Sequence, residues 1–255
     1  MRPTFVETNN VRAFHSAIAA VDNRGAEEAC IVVVDGAPGH GKTTCMSRWV
    51  AQTGSVYVRA QPQWNYTWLV DALLKEMDIT PPHSRIARYE RLLQGLDDRA
   101  RASMQAGHTF GMVIDECDQI STRREVMEAI RGLSDIQFMP TVLVGMGKLR
   151  ENLRRFPQIE SRAPRKVKFT PATQQDAHNL FAARCEVKVA DDLCNFVWKH
   201  SKGFNREILE AIAHIERAGM RLDPGEEGVT LADMQDQIIM VDRASGNPII
   251  GPRMI

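Results

Sequence analysis

Residues 36–43 read GAPGHGKT and satisfy G-x-x-x-x-G-K-[ST] at every fixed position. No other stretch of this chain limits its fold so tightly. The apolar run CIVVVD at 30–35 precedes it, and a helical segment follows from Lys42 to about Gln52. The octapeptide therefore stands between a buried strand and a helix. The residue types suit one task. Gly36, Gly39 and Gly41 let the backbone curl until its N–H groups converge on phosphate oxygens. The positive end of the following helix adds to the attraction. Lys42 is expected to reach the β- and γ-phosphates, and Thr43 to hold Mg²⁺. Gly36, Ala37, Pro38, Gly39, His40, Gly41, Lys42, Thr43 and Thr44 are thus the expected lining of a nucleoside triphosphate site, with ATP and Mg²⁺ as cofactors.

The flanking sequence alternates in a way that fits such a loop. Further strands are expected at 55–60, 110–114, 141–144 and 167–170. Helices are expected at 11–22, 64–79, 85–106, 121–135 with Ser121 as N-cap, and 148–156. The βαβα order predicts an α/β fold with a five-stranded parallel sheet between helices. From Thr173 the strand signals stop. Helices are expected at 173–185, 190–200, 205–219 and 230–241, with Thr173 and Thr230 at N-cap positions. The expected organisation is a nucleotide-binding α/β domain at 1–172, a small all-helical lid at 173–242 and a flexible C-terminal tail at 243–255.

The third strand runs into Ile114-Asp115-Glu116-Cys117-Asp118. Beside a phosphate loop, Asp115 is placed to hold Mg²⁺ together with Thr43. Glu116 is placed to orient or deprotonate an attacking water, which points to hydrolysis rather than transfer to a small acceptor.

Charge is balanced, with Lys+Arg 32 against Asp+Glu 32, but it is not evenly spread. Over 146–170, Lys148, Arg150, Arg154, Arg155, Arg162, Arg165, Lys166 and Lys168 face only Glu151 and Glu160. Such a surplus suits a solvated face, a contact with DNA phosphates, or an arginine offered to a neighbouring subunit's γ-phosphate. The five cysteines form no C-x-x-C pair and read as reduced, buried thiols of a cytoplasmic protein. The N-terminus lacks the apolar core of a signal peptide, and no run is long enough to span a bilayer.

The phosphate loop, the Asp-Glu pair, an arginine before the fifth strand and G-x-x-R at 203–206 together resemble an AAA+ ATPase. Within that class the stretches FVETNNVRAF, GAPGHGKTT, VIDECDQI and TVLVGMGKL resemble the transposition ATPases typified by the Mu phage B protein, with TniB and TnsC as relatives. The resemblance covers about residues 5–215. It implies an ATPase that forms filaments or other homo-oligomers on double-stranded DNA, with little sequence preference, and recruits a transposase for target selection. It also implies Arg162 as an arginine finger and Arg206 as the lid arginine. The loops that face DNA in such filaments offer Arg59, Arg123, Arg124, Lys148 and Arg150 here. Trp64, Tyr66 and Trp68 have the spacing of core residues rather than of a base-stacking surface.

Two departures carry expectations of their own. The polar side chain that usually follows the fourth strand is replaced by Val144-Gly145-Met146-Gly147, so slow hydrolysis is expected. The chain also starts almost at the ATPase core, so DNA binding is expected to rest on that core rather than on an added helix-turn-helix. A helicase loader or initiator-type AAA+ protein shares every motif and is the main rival. A P-loop small-molecule kinase is the more distant one, and Glu116 beside Asp115 counts against it.

Overall fold

The computed structural model describes residues 1–222 and 224–253. The last two positions of the tail expected at 243–255 lie outside the described residues. The chain divides into two compact units, one of residues 13–38 and 42–169, the other of 1–12, 39–41 and 170–255.

The first unit is built on β1 (Ile31–Gly36), β2 (Val56–Arg59), β3 (Met112–Asp115), β4 (Thr141–Gly145) and β5 (Arg165–Phe169), in the order β2-β3-β4-β1-β5. Every pairing is parallel. Helix α1 (Asn9–Asp22) precedes β1 and α2 (Lys42–Thr53) follows it. Then come α3 (Tyr66–Glu76), α4 (Arg85–Gln105), α5 (Arg124–Gln137), α6 (Leu149–Leu153) and α7 (Pro157–Arg162). All six residues of β1 are buried, which requires cover on both faces of the sheet. Ile31 and Val33 join a core with Leu69, Leu73, Leu92, Leu96 and Ile130. Val32 and Val34 alternate to the other face and are equally buried. Burial of each such side chain contributes about 1.5–3 kcal/mol. The order places β1 inside the sheet, between β4 and β5, with the phosphate loop at its carboxyl end, where open α/β sheets bind ligands.

Four local readings are corrected. Arg123, not Ser121, precedes the first turn of α5. Ser121 is fully buried, donates to the Asp118 carbonyl at 3.0 Å and accepts from Asn152 Nδ2 at 2.8 Å. The helix expected at 148–156 is shorter, α6 alone, and an unexpected second helix, α7, lies beyond that span, where Pro157 takes a first-turn position at which its missing N–H costs nothing. Trp64 lies in the core as its spacing suggests, but Trp68 is 47% exposed.

The second unit holds α8 (Gln174–Arg184), α9 (Asp191–Ser201) and α10 (Asn205–Gly219), followed by β6 (Ile238–Val241) and β7 (Pro248–Ile250), which pair antiparallel. The fourth correction lies here, since the helix expected at 230–241 does not form. Thr230 and Asp233 do make the reciprocal bonds of a helix start. The turn dies at Asp236, whose φ of +58° no right-handed helix accepts. The apolar run Ile238–Val241 then joins β7, and Ile239 and Met240 enter the second core with Leu193, Val197, Ile208 and Ile212.

The cap of α8 is complete. Thr173 Oγ1 accepts from the Asp176 N–H at 3.1 Å, and the Asp176 carboxylate accepts the Thr173 N–H at 3.1 Å and the Asn9 N–H at 3.0 Å. Thr173→Ala is therefore expected to destabilise the protein by about 1 kcal/mol, read as a lower urea midpoint with an unchanged slope. An unmoved midpoint would show that the cap contributes nothing.

Candidate functional site

Six of the phosphate-loop residues belong to the sheet unit. Gly36 ends β1, Ala37 and Pro38 are exposed, and Lys42, Thr43 and Thr44 open α2. Lys42 is 8% exposed and its Nζ donates to the carbonyls of Gly36 and Ala37, the latter at 3.0 Å. Burial pulls its pKa below the usual lysine value, opposed by the charges of Asp115, Asp35 and Asp118. A buried ammonium held by two carbonyl oxygens, within the influence of three carboxylates, suits exchange of those oxygens for phosphate.

Asp115 is the hub of this unit. It is 4% exposed, and its Oδ2 accepts from Thr43 Oγ1 at 2.9 Å and from the Tyr57 hydroxyl at 2.6 Å. Its Oδ1 accepts the Glu116 N–H at 2.8 Å. The two expected Mg²⁺ ligands, Thr43 and Asp115, are thus brought together. Among the described residues no cluster of three or more His, Cys, Asp or Glu side chains could hold a metal alone. One hydroxyl and one carboxylate match a Mg²⁺ ion that keeps phosphate oxygens and water as its other ligands. Tyr57 was not anticipated. Its position on β2, paired with Val113 of β3, aims the hydroxyl at the strand end, and burial first, then the bond to Asp115, raises its pKa.

Glu116 has a left-handed backbone, φ +53°, which is uncommon for a residue with a side chain. Its carboxylate pairs with Arg59 at the end of β2. Arg59 remains 65% exposed. Asp118, two residues on, accepts the Met146 N–H, and Asp35 accepts the Gly147 N–H. Both carboxylates therefore hold the loop after β4, where the sequence lacks a polar side chain.

The other named cations are scattered. Arg162 sits at the end of α7 with Nε 3.4 Å from Asp135, which Arg131 also holds at 2.7 Å. Arg124 and Lys148 are exposed. Arg123 is exposed and donates to the Trp64 carbonyl at 3.2 Å. Arg150 points inward, with Nε 3.7 Å from Asp35.

In the second unit, Gly39, His40 and Gly41 lie against the start of α10. Gly39 and Gly41 take φ of +93° and +86°, which favour glycine. The Asn205 N–H donates to the Gly39 carbonyl at 3.1 Å, Asn205 Nδ2 donates to the His40 carbonyl at 3.3 Å, and the His40 ring lies 5.0 Å from that of Phe204. Arg206 is exposed, on a different side of α10 from Asn205 and the buried Glu207. Arg243, from the turn between β6 and β7, lies 4.9 Å over the Phe204 ring and 3.7 Å from Glu207.

The AAA domain family model matches residues 25–153, just over half the chain. No curated protein matches it. Among solved structures, Cdc6p from Pyrobaculum aerophilum aligns with a TM-score of 0.58 at 14% identity, covering 92% of this chain and 68% of that one. The Aeropyrum pernix ORC2 protein in ADPNP–ADP complexes gives 0.59 at 17%, covering 87% and 66%. The Aeropyrum pernix ORC1 protein in complex with DNA gives 0.54 at 17%, covering 86% and 62%. The chain therefore spans about two thirds of the length of these structures, and at such identities the likeness is one of fold. Because the family match spans just over half the chain and includes the phosphate loop, Asp115, Glu116 and four of the five strands of the parallel sheet, the chain belongs to the AAA domain family, with the core of an AAA+ ATPase.

Proposed function

We propose that this chain is an ATPase that ATP switches onto duplex DNA as a homo-oligomer, and that contact with DNA triggers hydrolysis. The pairing of Glu116 with Arg59 carries this reading. Glu116 is the candidate base, and Arg59 is an exposed cation at the end of β2, where a loop expected to face DNA begins. DNA phosphates that draw Arg59 away would release Glu116 to the attacking water. Lys42 and the loop N–H groups would hold the phosphates. Thr43 and Asp115 would hold Mg²⁺, which neutralises phosphate charge, with Tyr57 fixing the carboxylate.

Arg123, Arg124 and Lys148 would add contacts to backbone phosphates, so binding should fall steeply with salt and ignore sequence. Arg162 would serve a neighbouring subunit only after leaving Asp135. Arg206 remains a candidate lid cation by its place in G-x-x-R.

The reading comes in two forms. An initiator or helicase-loader role stands first, supported by the likeness of fold to Cdc6p and to ORC proteins, one of them solved with DNA. A transposition regulator that recruits a transposase stands second, supported by the stretches FVETNNVRAF and TVLVGMGKL. Capture of a replicative helicase without any effect on strand transfer would select the first, and stimulation of strand transfer the second.

Electron microscopy with duplex DNA is expected to show ordered oligomers only with a non-hydrolysable ATP analogue, and none with Lys42→Ala. Oligomers without nucleotide would overturn the switch. Glu116→Gln should bind ATP and stay on DNA longer than wild type; faster release would remove it as the base. Arg59→Ala is expected to raise basal hydrolysis severalfold and abolish stimulation by DNA, and an unchanged ratio of the two rates would sink the coupling. Tyr57→Phe should raise the Mg²⁺ concentration for half-maximal activity by about two- to tenfold, the effect of one lost hydrogen bond to Asp115.

A further inference from the structure

The loop after β4 is where a polar side chain would read the end of the phosphate chain, and the structure shows why none stands there. A Cβ on Gly145 would lie 2.5 Å from Asp118 Oδ2 and 2.7 Å from Leu149 Cβ, so no larger residue fits. Met146 is 44% exposed. The N–H groups of Met146 and Gly147 are engaged by Asp118 and Asp35. Gly145 and Met146 thus offer no polar side chain, and those two amides are already engaged.

One cation nearby is differently placed. Arg150 lies on α6, just past the loop, with its side chain 31% exposed. Its Nε and one terminal nitrogen, Nη2, are buried and make no hydrogen bond among the described residues. Nε stands 3.7 Å from Asp35 Oδ2, which attracts the charge but is too long for a hydrogen bond. Asp35 is 7% exposed and is the residue immediately before Gly36. Buried guanidinium N–H groups without acceptors are costly and call for one. Asp35 also belongs to the group of carboxylates whose charge is felt at Lys42. The unsatisfied donors thus stand beside a carboxylate that immediately precedes the phosphate loop and whose charge also acts on the loop's lysine.

We propose that Arg150 is the residue by which this protein distinguishes a triphosphate from a diphosphate: its guanidinium, resting against Asp35, passes its unpartnered N–H groups to the γ-phosphate. The proposal rests on the reading of Gly36–Thr43 as an ATP site. It moves Arg150 from the DNA surface, where the resemblance to filament-forming ATPases put it, to the nucleotide. It also supplies a reader in a loop whose backbone excludes the usual one. The γ-phosphate carries the charge that an α- and β-phosphate pair lacks, so only a triphosphate would draw Arg150 from Asp35.

Equilibrium binding of fluorescent ATP and ADP analogues, with Mg²⁺, tests this on the full chain. Arg150→Ala is expected to keep ADP affinity within about twofold and to lose roughly ten- to a hundredfold in ATP affinity, the range of hydrogen bonds to a charged group. Arg150→Lys should recover part of that loss. Asp35→Asn retains an acceptor for the Gly147 N–H but releases the guanidinium, so its ATP-to-ADP preference should equal or exceed wild type. Equal loss of both nucleotides in Arg150→Ala and Arg150→Lys would mark a structural role and overturn the proposal. An unchanged ATP-to-ADP ratio with weaker, less salt-sensitive DNA binding would return Arg150 to the DNA surface. Wild-type protein that binds neither nucleotide would fail the underlying ATP reading itself, which binding by wild type with an unaltered ratio in Arg150→Ala would not.

Discussion

Asp115 is the atom-level junction on which the sheet unit's chemistry depends. One buried carboxylate receives a hydroxyl from the helix that follows the phosphate loop, a phenol from β2 and an amide from its own strand's end. Each donor comes from a different element, so the relative placement of α2, β2 and β3 is written into one group. Burial makes the arrangement exacting. A carboxylate away from water needs its oxygens satisfied, and the loss of a single donor leaves a buried acceptor short of a partner. A divalent cation would add to this set rather than rebuild it, because Thr43 and the carboxylate already converge.

The same logic extends along the carboxyl ends of the strands. Asp35 follows the apolar run of β1, Asp115 ends β3 and Asp118 lies three residues further on, and all three act on Lys42. Asp118 sits high in its titration because it is buried, a shift that the Met146 amide partly offsets and the neighbouring Asp35 reinforces. Concentrating negative charge beside a loop meant for phosphates looks self-defeating until the engaged groups are counted. Asp118 and Asp35 take the two backbone amides after β4, and Asp35 faces Arg150. The carboxylates are therefore tethers for a loop and a cation, and their charge is spent locally.

Much of this was legible from residues alone, and the reason is physical. The phosphate loop demands glycines, a lysine and a hydroxyl at fixed spacing, and continuous apolar runs mark strands buried on both faces, so β1, β3 and β4 stood out. Elements set by a single residue or by tertiary contact were not legible. α7 depends on Pro157 restarting a helix after α6, and β6 follows a helix start at Thr230 that tertiary contacts do not extend. Tyr57 carried no motif, since a tyrosine on a strand usually reads as packing. Arg150 was hidden by its neighbours: within a basic segment, sequence gives no sign that one guanidinium turns inward while Lys148 stays out.

Arg59 and Arg150 differ in how firmly they are held, and that difference orders their responses. The Arg59–Glu116 pair is largely in water, where ion pairs are weak and screened by salt. A polyanion arriving at that surface competes against little. Arg150 and Asp35 are mostly out of water, where an attraction is stronger and leaving it requires a comparably charged substitute in the same place. The exposed pair is thus suited to sense a surface partner, and the inner one to sense a ligand that has already entered the loop. Nucleotide identity would then be registered first and deep in the fold, and release of Glu116 last and at its edge. Such an order would keep hydrolysis waiting on a second contact even when a triphosphate is in place.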